Sequence, residues 1–585
     1  MPDWDLKIVD GSTSKFFRLA SQNGQKQYQV EPAFEGSIDA TYAMDDWSYG
    51  VGMLRPPSAA HLTNRTIDHL GHVLRLADGY GIDLSEKGVV KHGPGIERQR
   101  SMTGTFVDSI TFEDKVWFLT TTNLYRYSGT TLTNHGSISG GLQLEVWQDK
   151  LLIAQGASGY SYTDTASGIT AVTAIDAYRF AGVQSEDGPL IWIQTDANRN
   201  IQTTADPITA SPSMATAVTV GTGGPITNLF VQAGYLLTMT EDNIYIIVGA
   251  NSGSAEAVEF DRRFRRRKSS SAFSIGDSTG LETWVSDGDD IYRIETLGQA
   301  EFAARQAGPF YDDDIVPFSN PTTRGTVVDI SIDFDAVYVT VQRGSDTYVY
   351  KGVEKLQGVY SWSPLIKESS VTSAGGRVHK RLADSEGHLY TLQSGLFNEY
   401  ILRDWIVFNT DWQFETPYFI GQDENEVKAW NRFKAFVEVS SGSGTVQAAG
   451  RTDGTPTYVN IGSGMGDGYT TANPTALQHR RVQLRFTMSG NSSTESVDLR
   501  SFTLEGQRLP ELKRLLTATV IVQNTGERDF LYSLRSGSFT IRDRLGTNTR
   551  DFTLLPDYPK QLELFDEITK EPQMAMQIRA VELLT

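Results

Sequence analysis

The sequence predicts an all-β protein whose strands come in repeated hairpins. The clearest unit is residues 110–129, where the apolar run Val116–Leu119 and the alternating run Leu124–Tyr127 flank a polar link at Thr120–Asn123. Two β-rich runs joined by a short polar link are typical of a β-hairpin. The fold prediction rests on this unit, on its recurrence and on the spacing of its copies.

Six further copies follow along the chain, at 144–164, 188–206, 229–249, 280–298, 333–352 and 381–395. The residues that open the second runs are Tyr125, Tyr160, Ile201, Tyr245, Tyr292, Tyr348 and Tyr390, with gaps of 35, 41, 44, 47, 56 and 42 residues. A four-stranded blade with its turns needs about 40 to 50 residues, so the spacing predicts a β-propeller. An earlier copy at 72–88 leaves six to eight blades possible. A run of β-sandwich domains is the alternative, since no WD or kelch motif anchors the repeat.

Changes in the pattern of apolar and polar residues divide the 585 residues into four regions. Residues 1–70 are predicted to be an N-terminal arm, and residues 71–404 contain the propeller repeats. Longer alternating strands after Asp404 predict a β-sandwich over 405–510, and the remaining residues, 511–585, predict a small C-terminal β domain.

Composition limits the function classes. The 52 basic and 71 acidic residues give a net charge of −19, which disfavours sequence-specific DNA binding but suits a conduit that must not retain a passing polyanion. The absence of Cys excludes disulfides and thiolate metal sites and is compatible with assembly in a reducing cytoplasm. An acidic start, with Asp3 and Asp5, is unlike a signal peptide, and no apolar run has the length of a membrane helix, so no membrane insertion is expected.

No enzyme or cofactor site is predicted. His69 and His72 have i, i+3 spacing, but no third ligand is evident nearby, so two surface histidines are the favoured interpretation. Residues 274–284 contain the residue types of an Asp-box, but their spacing is wrong. No P-loop, Rossmann or nucleophile-elbow motif occurs in a convincing context. The tryptophans near the repeats are interpreted as propeller core rather than as a sugar-stacking platform; they are Trp117, Trp147, Trp192, Trp284 and Trp362.

Two charge clusters are the candidate interface or DNA-contact sites. The basic run is Arg262, Arg263, Arg265, Arg266, Arg267 and Lys268, and the acidic group is Asp312, Asp313 and Asp314. Concentrated like charges favour a compensating partner. That partner is the acidic group of the same chain or of a neighbouring copy, another protein, or DNA; a solvated loop is the alternative.

The C-terminal third resembles structural proteins of tailed bacteriophages. Residues 414–439 and 500–510 are similar to the sandwich segment of phage tail proteins, and residues 534–548 resemble C-terminal modules of tail and neck components. The resemblance as a whole extends over about 170 residues of the chain. The order of propeller, sandwich and small β domain most resembles the tail nozzle proteins of short-tailed phages.

This resemblance implies a non-enzymatic virion protein, assembled in the host cytoplasm, that forms a hexameric ring with further copies of itself below the portal and adaptor. DNA would pass through such a ring during ejection without specific binding. A carbohydrate-binding or carbohydrate-cleaving propeller used in host recognition is the alternative, and it predicts an axial pocket lined by carboxylates and arginines. A peptide-binding adaptor propeller is a third possibility without a feature of its own.

Overall fold

A computed structural model describes the chain from Trp4 to Glu582 with gaps. The residues outside the description are 1–3, 23–24, 27, 32–39, 49, 52–75, 186–187, 222–223, 250–254, 261–274, 287–290, 299–300, 307–324, 334–335, 357–358, 372, 381–386, 394, 420–426, 453–454, 475–476, 489–492, 509–514, 544–548, 556, 566–571 and 583–585. Within the described part, the architecture is almost entirely β and confirms the predicted fold class.

The first strands of the chain serve the domains at its end. They are β1 (Leu6–Asp10), β2 (Thr13–Leu19), β3 (Ser21–Gln22), β4 (Gln25–Lys26), β5 (Tyr28–Glu31), β6 (Ala40–Met44), β7 (Asp78–Tyr80), β8 (Ile82–Asp83) and β9 (Lys91–His92). β1, β2 and β5 join a C-terminal sheet, whereas β6 and β7 join the two sheets of the sandwich. The N-terminal residues are therefore built into other domains.

The described strands from 98 to 401 form seven four-stranded antiparallel blades. They are β10 (Arg98–Ser101), β11 (Phe106–Phe112), β12 (Lys115–Thr120), β13 (Asn123–Tyr127), β14 (Leu132–Ser137), β15 (Gln143–Trp147), β16 (Lys150–Ala154), β17 (Tyr160–Thr163), β18 (Thr170–Val172), β19 (Phe180–Ser185), β20 (Gly188–Gln194), β21 (Asn200–Thr204), β22 (Ala215–Thr219), β23 (Ile226–Gln232), β24 (Tyr235–Thr240), β25 (Ile244–Val248), β26 (Glu256–Glu259), β27 (Ile275–Ser278), β28 (Thr283–Ser286), β29 (Ile291–Gly298), β30 (Glu301–Gln306), β31 (Thr326–Asp333), β32 (Ala336–Arg343), β33 (Asp346–Leu356), β34 (Val359–Glu368), β35 (Ser373–Lys380), β36 (Gly387–Gln393) and β37 (Leu396–Ile401). Blades 1 to 6 take four consecutive strands each, from β11 to β34. Their first strands, together with β35, lie side by side around the axis.

Blade 7 closes the ring with strands from both ends of the propeller. It consists of β35, β36 and β37, with β10 as the outermost strand. Glu399 on β37 is fully buried and accepts hydrogen bonds from the hydroxyls of Tyr390 (3.1 Å) and of Tyr127 in blade 1 (2.6 Å). The closure therefore combines a main-chain ladder with a buried polar contact between blades 7 and 1.

The repeat predicted from the sequence matches the blades. Six of the seven landmark residues lie on third strands, whereas Tyr390 lies on β36, the second strand of blade 7. The additional copy at 72–88 is not a blade, because β7 pairs in the sandwich and β8 pairs with β9. The five tryptophans are all buried, which confirms their interpretation as core.

The sandwich consists of two sheets. Its strands are β38 (Trp412–Glu415), β39 (Lys428–Ser441), β40 (Gln447–Thr452), β41 (Thr455–Asn460), β42 (Gly468–Ala472), β43 (Gln478–His479), β44 (Val482–Met488) and β45 (Ser496–Arg508). One sheet has the order β41-β40-β44-β38-β7, and the other has β42-β39-β45-β6, with β43 on β39. Phe486 links the layers, since its ring lies 4.9 Å from that of Phe414 and 5.1 Å from that of Phe502.

The C-terminal strands form a closed barrel. They are β46 (Leu515–Ile521), β47 (Ser538–Asp543), β48 (Thr549–Leu554), β49 (Lys560–Phe565) and β50 (Pro572–Glu582), with helix α1 (Thr525–Ser533) and a 3₁₀ turn (Leu534–Ser536) after β46. Closure follows because β50 pairs with both β48 and β46 in the circuit β1-β2-β46-β50-β48-β47. Helix α1 is capped by Asn524, whose side chain accepts from the Glu527 amide at 3.0 Å, and it packs Phe530 and Leu531 against the barrel core.

Sheet membership therefore crosses the limits predicted at 70 and 404, because strands before residue 45 join both later domains and β7 pairs in the sandwich. The alternation of apolar and polar residues along each segment predicted the strands themselves. It does not show which strand pairs with which, so the sequence did not predict that the first 80 residues supply strands to the later domains. Strands of the expected arm complete both later domains.

Side chains and close backbone contacts join the three units. Between the propeller and the sandwich region, Lys351 Nζ lies 2.8 Å from an Asp83 carboxylate oxygen. Gly50 packs on Trp362 with a φ of 79°, and a Cβ there would lie 2.3 Å from the Trp362 amide nitrogen. Between the sandwich and the barrel, the buried Arg480 donates to the Thr553 carbonyl at 2.7 Å.

Candidate binding pocket at the propeller axis

The first strands of the blades enclose a polar cavity of about 590 Å³ on the propeller axis. Its charged lining residues are four carboxylates and two guanidinium groups, namely Asp108, Glu145, Asp277, Asp329, Arg179 and Arg377. Each charged group lies on or next to a first strand, because that strand alone faces the axis. Convergent polar groups in a concave pocket make this the leading candidate site among the described residues.

Three of the carboxylates tie neighbouring blades together. In each case one oxygen accepts from the next residue's amide and the other accepts from an amide on the first strand of the following blade. The inter-blade contacts are Asp108 with Leu144 (2.8 Å), Asp277 with Ile332 (2.8 Å) and Asp329 with Gly376 (3.1 Å). These carboxylates therefore have a structural role in addition to lining the cavity.

The other four junctions also carry side-chain hydrogen bonds. They join Gln143 to the Phe180 amide (2.8 Å), Arg179 to the Thr227 carbonyl (3.1 Å), Ser278 to the Val231 carbonyl (2.8 Å) and His379 to the Ser109 hydroxyl (2.8 Å). Each of the seven blade junctions thus has at least one side-chain contact near the axis. The propeller ring is stabilised by polar contacts as well as by its apolar core.

Arg377 on β35 is the centre of positive charge in the pocket. Its guanidinium lies 3.0 Å from an Asp329 oxygen and 3.8 Å from an Asp277 oxygen. Burial opposes its charge, but Asp329, Asp277 and Asp108 together raise the pKa of Arg377. Arg377 therefore stays charged and balances part of the acidic cluster.

Burial shifts the pKa values of the pocket groups towards their neutral forms. It raises the pKa of Glu145 to about 8, and it raises that of Asp329 to about 7 against the opposing effect of Arg377. Burial and the charge of Arg377 lower the pKa of His379 to about 3. At neutral pH Glu145 therefore retains its proton and can donate a hydrogen bond, while His379 is neutral.

This arrangement can bind a small hydroxyl-rich or amide-bearing ligand. It offers a protonated carboxyl at Glu145, a side-chain amide at Asn228, and charged guanidinium groups. Within the described ranges, no three His, Asp or Glu side chains form a cluster that could hold a metal ion. None of the described helices is long and apolar enough to cross a membrane.

The structure does not test the two predicted charge clusters. The basic run at 262–268 and the acidic group at 312–314 fall outside the described residues, as do His69 and His72. Asp277, in the segment considered as an Asp-box, does face the axial pocket.

The pocket residues were missed although a signal exists. Asp108, Asn228 and Asp329 each stand four residues before the last residue of a first strand, and each follows a register shift in that strand. An acid or amide at one fixed distance before several turns of a propeller repeat indicates an axial position.

The fold and pocket define the chain as a seven-bladed β-propeller with an appended sandwich and barrel. No protein-family model matches the sequence, and no curated protein matches it. Among solved structures, YCF48 from Cyanidioschyzon merolae aligns with a TM-score of 0.39 and 10% identity over 53% of this chain and 98% of that chain. BBS1N from its complex with ARL6DN aligns with a TM-score of 0.38 and 10% identity over 54% and 98%. The computationally designed Ika8 protein aligns with a TM-score of 0.33 and 12% identity over 52% and 98%.

Proposed function

We propose that this chain is a structural subunit of a tailed-phage virion, a tail nozzle or tail tube protein that assembles as a ring on the DNA ejection path. The observation that carries the proposal is the order of the parts. A propeller is followed by a sandwich and a barrel, and the first strands of the chain complete both of the later domains. The resemblance of the sequence to tail nozzle proteins rests on this same order of domains.

The use of the axial acids supports a mechanical role. Asp108, Asp277 and Asp329 are engaged in hydrogen bonds between blades, so they stabilise the ring of blades. A net charge of −19 suits a wall along which DNA passes without being retained. Partners in this role are further copies of the chain, an adaptor or portal, and other tail proteins.

Single-particle imaging of the purified full chain tests this proposal. We expect closed rings of about six copies around a central channel, because a contact between different surfaces of identical subunits closes into a ring when the rotation per subunit permits. Open filaments or isolated particles, alone and with adaptor proteins, would contradict the proposal.

Carbohydrate binding is the second candidate, and the axial pocket is the observation that favours it. The pocket has the carboxylates and arginines that this function requires, and Glu145 is a protonated donor at neutral pH. A glycan array with the full chain tests it, with Glu145→Ala as the pocket variant and Glu256→Ala, on the exposed edge of blade 4, as the control. Binding that the pocket variant loses and the control retains supports this function; no binding contradicts it.

A further inference from the structure

A second cavity, of about 680 Å³, is lined mainly by blades 5 and 6 and reaches Thr111 of blade 1 and His379 of blade 7 near the axis. Its apolar lining includes Leu281, Trp284, Ala336, Val337, Val353 and Tyr360, and we call it the blade 5–6 groove. Leu281 is 83% exposed at its mouth. Leu297, which is 60% exposed, lies near the same end of blade 5. Such a cluster of exposed apolar residues is typical of an interaction surface.

The groove also has an acidic lining. Its charged lining residues are Glu282, Asp333 and Glu354 against one base, Arg293. Arg293 Nε lies 2.8 Å from Glu282, and its Nη1 lies 3.3 Å from Glu354. Acids therefore exceed bases around an apolar floor, and a ligand that fits this surface carries positive charge and a large apolar group.

We propose that the blade 5–6 groove binds the basic run of a second copy of this chain. The run places six basic residues in the seven positions from 262 to 268, and Phe264 stands among them. Positive charge complements the acidic lining, and the aromatic ring fits the apolar floor. The proposal deepens the proposed ring assembly and rests on it for its biological role.

The position of the two surfaces along blade 5 favours contact between copies. In the sequence the basic run connects β26 to the start of β27, whereas the groove lies at the ends of β27 and β31. Both attachment points of the run are thus at the end of the blade opposite the groove. A contact between different surfaces on identical subunits is head-to-tail, and such contacts generate rings or filaments.

Peptide binding tests the groove directly. The probe is a labelled peptide of residues 259–271, titrated into the full chain and followed by fluorescence anisotropy. We expect saturable binding that weakens with salt and falls at least tenfold for Leu281→Lys, which removes an apolar contact and adds a repelling charge. Ile406→Lys is the matched control, because Ile406 is 74% exposed and lies outside the groove. We also expect a Phe264→Ser peptide to bind at least tenfold more weakly.

Equal affinity of wild type and Leu281→Lys, or no peptide binding to the wild type, would overturn the inference. Rings that persist in Leu281→Lys would also overturn it while leaving the proposed function intact. Peptide binding that depends on Leu281, in a chain that forms no rings, would support the groove contact and count against the proposed function.

A mixing experiment tests the head-to-tail arrangement. Leu281→Lys chains retain the basic run, whereas chains with Arg265, Arg266 and Arg267 changed to Glu retain the groove. We expect each variant alone to be monomeric and the mixture to contain pairs of the 64.6 kDa chains but no larger rings, because only one contact is complementary. Mass photometry distinguishes these species. A mixture that remains monomeric while wild type forms rings would contradict this arrangement.

Discussion

At the residue scale, the axial side chains both join neighbouring blades and line the pocket. Asp108, Asp277 and Asp329 use their oxygens on main-chain amides of their own and neighbouring strands. Buried carboxylates of this kind are tolerated because hydrogen bonds compensate for lost hydration. Glu145 differs, since burial dominates its environment and raises its pKa to about 8.

Glu145 gives a pH-dependent prediction. Its folded-state pKa exceeds the ordinary value, so the folded chain binds this proton more tightly and the carboxylate lowers stability as pH rises from about 4.5 to 8. We expect Glu145→Gln to change stability little at pH 5 and to raise it by about 1 kcal/mol at pH 9, a figure reduced for screening by pocket water.

Thermal unfolding at both pH values measures this difference. Glu256→Gln, at an exposed position on β26, is the control and should give no pH-dependent gain. An equal effect of Glu145→Gln at pH 5 and pH 9 would show that the pocket does not raise this pKa.

At the element scale, the seven blades are all four-stranded but differ in the contacts that stabilise them. Blade 7 depends on β10, the first strand of the propeller, for its outer edge. Blade 6 has long outer strands, with 11 residues in β33 and 10 in β34, and Trp362 of β34 shares a core with the sandwich. The longest blade is therefore the one on which the next domain packs.

Closure of blade 7 gives the second prediction. The carboxylate of Glu399 lies 3.7 Å from Arg98 on β10 and accepts from two tyrosines. We expect Glu399→Gln to weaken closure by about 1–3 kcal/mol, because a charged acceptor is lost from a buried polar cluster. Hydrogen exchange should rise in β10 and β37 and stay unchanged in blade 3. Glu86→Gln, at an exposed position, is the control, and equal exchange in both variants would contradict this role.

The elements could be predicted from the sequence to different extents, for physical reasons. Third strands were recognisable because Tyr125, Tyr245 and Tyr292 repeat in alternating apolar runs. The barrel was not recognisable, because β1 pairs with β47 across almost the whole chain and side-chain alternation does not specify a partner. The axial site could be found in part, through Asp108 and Asp329 before their turns, but the approach of Arg377 to both Asp277 and Asp329 depends on ring closure.

At the scale of the whole molecule, the chain order and the spatial order differ. The first strands complete the last domain, so the barrel forms only when both ends of the chain meet. The propeller, in contrast, contains all of its strands between residues 98 and 401. Closure of the barrel therefore depends on β1 and β2, whereas none of the described blade sheets uses a strand that precedes Arg98.

Removal of residues 1–20 tests this coupling. We expect the deletion to open the barrel by removing β1 and β2, which leaves unpaired edges on β46 and β47. Hydrogen exchange should rise in β46–β50 and in α1, with little change in blades 1 to 6. A peptide of residues 4–20 should restore protection, and full protection of the barrel without that peptide would contradict the closed circuit.

The native mass of the full chain is the most direct test of the proposed ring assembly. We measure it by multi-angle light scattering at micromolar concentration, in low and moderate salt. The account predicts a discrete species of about six 64.6 kDa chains that is weakened by salt, because charged surfaces contribute to the contact. A single monomeric mass under all conditions would contradict ring assembly and leave the axial pocket as the basis of function.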